Sequence, residues 1–225
     1  MATQLDLQEQ EQLDALKAFW KQYGNLVTWV LIIVLGAYVA WTGWNYWQRE
    51  QAQNASAMYD ALEQAVQAGD AERAGRVFAD LKERFPRTAY VQQAALAAAK
   101  LQFDKGQLDA AKASLGWAAE NAKEDEYRTI ARLRLAAVLA SAKQYDEALK
   151  QLDAAKADGF EALIADRRGD ILAAAGKTAE ARTAYQAAWK ALDDKVDYKV
   201  LIDAKLTALG AAPEPAASAA AGATP

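Results

Sequence analysis

Hydrophobic and polar positions divide this chain into two regimes. From Gln22 to Gln48 there is no Asp, Glu, Lys or Arg, a stretch of about 27 residues around LVTWVLIIVLGAYVAWTGWNYW. A helix needs about 20 apolar residues to cross a bilayer's hydrocarbon layer. Backbone amides in lipid must pair within their own segment, so the run predicts one helix. Trp20 and Tyr23 at one end, and Trp44, Tyr46 and Trp47 at the other, supply amphipathic rings for two interfacial belts. A cleaved signal sequence has a shorter apolar run, of roughly 7–15 residues, with a small-x-small site close behind. Here the leader carries Asp6, Glu9, Glu11 and Asp14, and Ala55-Ser56-Ala57 lies beyond the charges of Arg49 and Glu50. The reading is a leader over 1–21 and a permanent transmembrane helix over 22–48. Lys17 and Lys21 precede the span closely and only Arg49 follows it closely. That bias puts the N-terminus in the cytoplasm and the remainder outside.

Beyond the span the pattern becomes helical and repetitive. Four segments align: GDAERAGRVF (69–78), GQLDAAKASL (106–115), KQYDEALKQL (143–152) and GKTAEARTAY (176–185). Each opens on a turn signal, with Ala at the sixth place (Ala74, Ala111, Ala148, Ala181) and a large residue at the tenth (Phe78, Leu115, Leu152, Tyr185). The alanines are about 37, 37 and 33 residues apart, near the 34-residue period of tetratricopeptide repeats. Alanine lets two antiparallel helices cross closely, and the large residue four places on shares its helical face. Helical segments over 55–68, 90–105, 127–142 and 162–175 precede the turns, so the chain reads as four helix hairpins. Pro86, after Phe85, closes the first. A last helix from Tyr198 to Leu209, with Val200, Leu201, Ala204 and Leu209 available for one face, is suited to cap the stack. The expected fold is all-α: one N-terminal transmembrane helix, then a tetratricopeptide-like α-solenoid over 49–210. The Ala/Pro tail over 211–225 has no large apolar residue and reads as disordered.

Composition narrows the chemistry. The 225 residues include no cysteine and no histidine, and the net charge is −4 with no basic block. Thiol chemistry and Cys/His metal sites are excluded, and a nucleic-acid partner would want an electropositive footprint. No Gly-rich phosphate loop or Gly-x-Ser-x-Gly is present. The expectation is a binding protein with no cofactor, no metal and no catalytic residues. The acids Glu124-Asp125-Glu126 read as helix-start charges before Tyr127, because neighbours on a helix point apart.

The leader EQEQLDALKAFWKQYG, running straight into NLVTWVLIIVLGAYVAWTGWNYW and then into degenerate repeats, resembles the YfgM family over almost the whole chain except the tail. The resemblance implies a single-pass inner-membrane protein with a periplasmic repeat domain. It further implies association with the SecYEG translocon and a PpiD-like periplasmic chaperone, in handling newly exported chains. It carries over no site residue. An envelope assembly or stress scaffold of the same architecture is the alternative.

Three candidate surfaces follow. In the leader, Leu13, Leu16 and Trp20 at helical spacing, with Leu5 and Phe19 nearby, mark either an amphipathic helix or an extension of the span. In the span, Gly36, Ala40 and Gly43 fall at i, i+4 and i+7, a small-residue stripe where another helix can approach. In repeat stacks the first helices line a groove for a partner helix or an emerging polypeptide. Gln93, Lys100, Phe103 and Asp104 of the second unit, and Asp166 and Asp170 of the fourth, are its candidates.

Overall fold

The computed structural model describes residues 7–193 and 197–211. The tail from 212 onward and the leader's Leu5 lie outside the described residues. All regular structure among these is α-helical: α1 (Leu7–Gln67), α2 (Ala71–Arg84), α3 (Ala89–Asp104), α4 (Leu108–Asn121), α5 (Asp125–Ser141), α6 (Tyr145–Asp153), α7 (Glu161–Ala174), α8 (Thr178–Ala191) and α9 (Tyr198–Ala208). The chain divides into two compact units, one ending at Gln53 and one beginning at Asn54.

The first unit is the N-terminal part of α1. Leader and apolar run belong to one unbroken helix from Leu7. Its most apolar window is wholly uncovered by protein. A soluble core helix would be buried; this one exposes Ile32, Ile33, Leu35 and Val39 by half or more. The Thr28 hydroxyl donates to the Gly24 carbonyl at 2.8 Å, so this polar group finds its partner inside the helix, as lipid requires. By length and composition the helix is able to cross a membrane.

The second unit is a stack of helix pairs. From α2 onward each helix packs on the next, and the first helices also touch across units, α3 on α5 and α5 on α7. This nearest-neighbour pattern defines a solenoid. Ala74, Ala111, Ala148 and Ala181 are all fully buried, and Phe78, Leu115, Leu152 and Tyr185 are at most 5 % exposed. The eight positions of the repeat therefore sit where the register places them, at the helix crossings.

The turns repeat as closely as the helices. Gly69, Gly106, Lys143 and Gly176 are left-handed, with φ of 67, 74, 61 and 78°. In each turn the next N–H reaches back five residues: Asp70 to the Ala65 carbonyl, Gln107 to Gln102, Gln144 to Leu139 and Lys177 to Leu172, at 2.8–2.9 Å. That bond closes a Schellman motif. The same four residues then accept, through their own carbonyls, the N–H of the buried alanines. One residue thus ends a helix and starts its successor, which fixes the hairpin angle.

Two departures from expectation concern the C-terminal half. α6 is only 9 residues long, and an irregular segment leads from it to α7. In α9 the buried residues are Ile202 and Leu206, while Val200 and Leu201 are 71 % and 47 % exposed and Ala204 is exposed too. The expected apolar face was therefore mis-set. Tyr198, Ile202 and Leu206 follow the i, i+4 spacing of one helix face, and Val200 lies two residues, more than half a turn, away from it. Leu209 is partly buried against the cluster that contains Ile202 and Leu206.

Candidate functional site

The first helices α3, α5 and α7 surround a concavity of the stack. Its pocket, about 360 Å³, is lined by Lys100, Phe103 and Asp104 of α3, Arg134 and Val138 of α5, and Arg167 of α7. Leu115 of α4, together with Ala99 and Ala137, completes an apolar floor. Leu115 and Val138 are buried, whereas Phe103 stands 41 % exposed at the edge. The floor exists because Leu115 is a repeat residue wedged between helices, and its outer surface shows between α3 and α5.

The charges around the pocket are unequal. Lys100 Nζ lies 2.6 Å from Asp104 Oδ2 one turn away, a pair that neutralises both. Arg167 reaches Asp170 Oδ2 only loosely, at 3.6 Å. Arg134 has neither a hydrogen bond nor an ion pair among the described residues. Three cations against one anion leave the pocket positive, although the whole chain is at −4.

Of the residues picked from the sequence, the structure gathers Lys100, Phe103 and Asp104 at this pocket. Gln93, two turns before Lys100, donates to the Tyr127 hydroxyl at 3.2 Å and so ties α3 to α5. Asp166 and Asp170 do not line it. Asp166 is 3 % exposed, and its carboxylate accepts from the Tyr198 hydroxyl at 2.6 Å and from Lys205 at 2.7 Å. Asp170 accepts from the Tyr185 hydroxyl at 2.9 Å and from Lys205 at 2.7 Å. These two acids hold α9 onto α7, and for Asp166 burial dictates the role, since a carboxylate this deep must be paired. Burial pushes the Tyr185 and Tyr198 phenols well above their usual range, and the adjoining carboxylates push them further.

Asp166 belongs to a pattern that hydrophobic periodicity concealed. Gln92, Thr129 and Asp166 are buried polar residues of α3, α5 and α7 at 37-residue intervals. Each holds the segment that follows its unit. Gln92 Oε1 accepts the N–H groups of Lys123 at 2.7 Å and Glu124 at 3.2 Å. Thr129 Oγ1 accepts the N–H of Ala157 at 3.1 Å. Glu124 and Asp125 serve the start of α5, the first accepting from the Gln92 amide at 3.1 Å and the second pairing with Arg128.

Arg134 and Arg167 were not singled out in the sequence. Their signal was the recurrence of a cation on each first helix, Lys100, Arg134 and Arg167, at intervals of about 34 residues. In the other unit, Gly36, Ala40 and Gly43 are all exposed on α1, and a Cβ built on either glycine would meet nothing within 4 Å.

The chain has relatives among known proteins. The tetratricopeptide repeat-like domain family covers residues 17–211, from the leader through α9. The chain is similar to a protein of Neisseria gonorrhoeae named ancillary SecYEG translocon subunit, 32 % identical over 197 residues, covering 87 % of this chain and 94 % of that one. Proteins of the same name from Escherichia coli and Haemophilus influenzae are 33 % and 31 % identical, each over 81 % of this chain. These alignments cover 87 % and 89 % of the two relatives. Matched over nearly its whole described length, the chain belongs to the YfgM family of tetratricopeptide repeat-like proteins, the family of the ancillary SecYEG translocon subunits.

Proposed function

We propose that this chain is a membrane-anchored interaction module that associates with the Sec translocon at the bacterial inner membrane. The observation that carries the reading is the union, in one chain, of an apolar helical segment uncovered by protein and a repeat stack, with relatives of that name aligned over most of the chain. The finer reading puts the leader in the cytoplasm and the repeats in the periplasm, beside a PpiD-like chaperone and newly exported chains. Lys17 and Lys21 against Arg49 support that orientation. Tethering raises the groove's concentration near a channel exit to about the mM range, so weak, sequence-tolerant contacts suffice to hold a passing chain without trapping it. No catalytic step is assigned: the surface is built for contact.

Gentle solubilisation of native membranes, with cross-linking from the span and the groove, tests the association. Enrichment of translocon subunits with a periplasmic chaperone supports the reading. A preparation containing neither would move the function to an independent envelope scaffold. Orientation has its own assay, because the chain has no cysteine of its own. Glu120→Cys in the exposed part of α4 should react with a membrane-impermeant maleimide on spheroplasts, and Gln12→Cys in the leader should not. The opposite labelling overturns the orientation.

A further inference from the structure

The pocket between α3, α5 and α7 has a chemistry that specifies its occupant more narrowly than "a partner". Its floor is hydrocarbon, from Leu115, Val138, Ala99 and Ala137. At about 360 Å³ it falls in the range of roughly 300–1,000 Å³ typical of ligand pockets. Around it stand cations from three successive first helices. Lys100 is already matched by Asp104. Arg134 has no partner among the described residues, and Arg167 has one distant contact to an acid whose other oxygen serves Tyr185 and Lys205. Two guanidinium groups are thus left to receive planar anions, and a carboxylate fits each with paired hydrogen bonds.

We propose that this pocket binds an extended polypeptide segment that inserts one apolar side chain between carboxylates. The inference rests on the interaction-module reading and names the class of peptide the groove takes. An apolar side chain alone would fill the floor and leave Arg134 and Arg167 unanswered. A basic segment meets like charge at both. Phe103, half in solvent beside the floor, gives the apolar side chain a lateral wall. Arg134 and Arg167 stand on different helices, so the bound segment crosses the first helices and reads more than one repeat.

The full chain in phosphatidylcholine nanodiscs is titrated into three fluorescein-labelled octapeptides, followed by anisotropy. One is built of Leu, Asp and Glu; one carries Lys for the acids; one carries Ser for Leu. The acidic, leucine-containing peptide should bind. The other two should bind at least about tenfold more weakly, and raised salt should weaken the first, as screening of the arginines requires. Arg134→Glu with Arg167→Glu should lose at least about tenfold in affinity for the acidic peptide while the thermal melt is unchanged. If that pair disturbs the fold, Arg134→Gln alone, an exposed change, gives the same reading at smaller amplitude. Equal affinity for the lysine peptide, no binding of the acidic one, or undiminished binding by a folded arginine variant overturns the proposal. No translocon is present, so a negative result leaves the co-purification experiment to judge the translocon reading separately.

Discussion

Gly169 of α7 lies close against the ring of Tyr185 in α8. A Cβ built on Gly169 would stand 2.4 Å from Tyr185 Cε1. The ring cannot swing aside cheaply, because it is 4 % exposed and its hydroxyl is fixed to Asp170 at 2.9 Å. Gly116 of α4 offers the contrast, since a Cβ there meets nothing within 4 Å. Replacing glycine by alanine inside a helix gains about 1 kcal/mol from propensity. Gly116→Ala should therefore stabilise the repeat unit by about 1 kcal/mol. Gly169→Ala sets the same gain against an overpacking cost of about 1–3 kcal/mol, and should destabilise. Urea melts of the two variants should move in opposite directions.

Lys143 is the only non-glycine among the described residues with positive φ, at 61°. It performs the turn that Gly69, Gly106 and Gly176 perform in the other units, with the same back-reaching bond from Gln144 to Leu139 at 2.9 Å. A side chain in this region costs about 1–2 kcal/mol, part of which glycine returns through its larger unfolded-state freedom. Lys143→Gly should gain about 0.5–1 kcal/mol. Gly106→Ala should lose a similar amount. Differential calorimetry on the two variants checks both signs.

How much of this was legible in advance depends on the type of residue. The sixth-place alanines and tenth-place large residues repeat four times, so the crossings could be placed from sequence. Turn positions were legible for the same reason, through glycine in three units and the polar Lys143-Gln144 pair in the other. The apolar face of α9 was not, because an 11-residue helix with Val200, Leu201, Ile202 and Leu206 admits more than one apolar stripe, and the choice is made by what α7 and α8 present. The roles of Asp166 and Asp170 were hidden because repeat register places them on a first helix, and so at the groove, without showing which later segment covers them. Only contact reveals them as ties: Asp166, buried, meets Tyr198 and Lys205, 32 and 39 residues later, and Asp170, half-buried, meets Tyr185 and Lys205, 15 and 35 residues later.

The polar ladder of Gln92, Thr129 and Asp166 gives a test of local stability. Gln92→Leu keeps the volume and strands the N–H groups of Lys123 and Glu124, a cost of about 1–3 kcal/mol. Asp166→Asn keeps an acceptor for Tyr198 but removes the charge beside Lys205, which retains Asp170. Because stacked repeats couple chiefly to their neighbours, the two lesions should be separable. Hydrogen exchange should quicken at the α4–α5 junction in the first variant and throughout α9 in the second, with α2 and α3 little changed in the second.

Alkaline pH should loosen the α7–α8–α9 end. Burial, and then Asp170 and Asp166 respectively, raise the Tyr185 and Tyr198 phenols above their usual value. In the unfolded chain a phenol ionises near pH 10. Above that pH the unfolded state sheds protons the folded state still holds, so stability falls as pH rises. Their contribution is fully present below about pH 10 and is lost on the way to the folded values. Tyr185→Phe with Tyr198→Phe should be less stable at neutral pH, having lost two hydrogen bonds, yet its melting temperature should decline less steeply above pH 10. Tyr59, also raised by burial, keeps its own share of the slope. Melts from pH 8 to 11 on both proteins decide the matter.

The stripe of Gly36, Ala40 and Gly43 carries the last prediction. In lipid, hydrophobic burial supplies no force between helices, and close backbone approach at small residues takes its place. Among the described residues a Cβ added at Gly36 or Gly43 meets no atom within 4 Å. Gly36→Leu with Gly43→Leu therefore starts from open positions on α1, and leucine also suits a helix better than glycine. Any loss must come from a neighbouring helix held off by the new side chains. The double variant should insert normally and melt like the parent, while translocon subunits recovered with it fall several-fold. Recovery equal to the parent's would place the contact on another face of α1 or on the repeats.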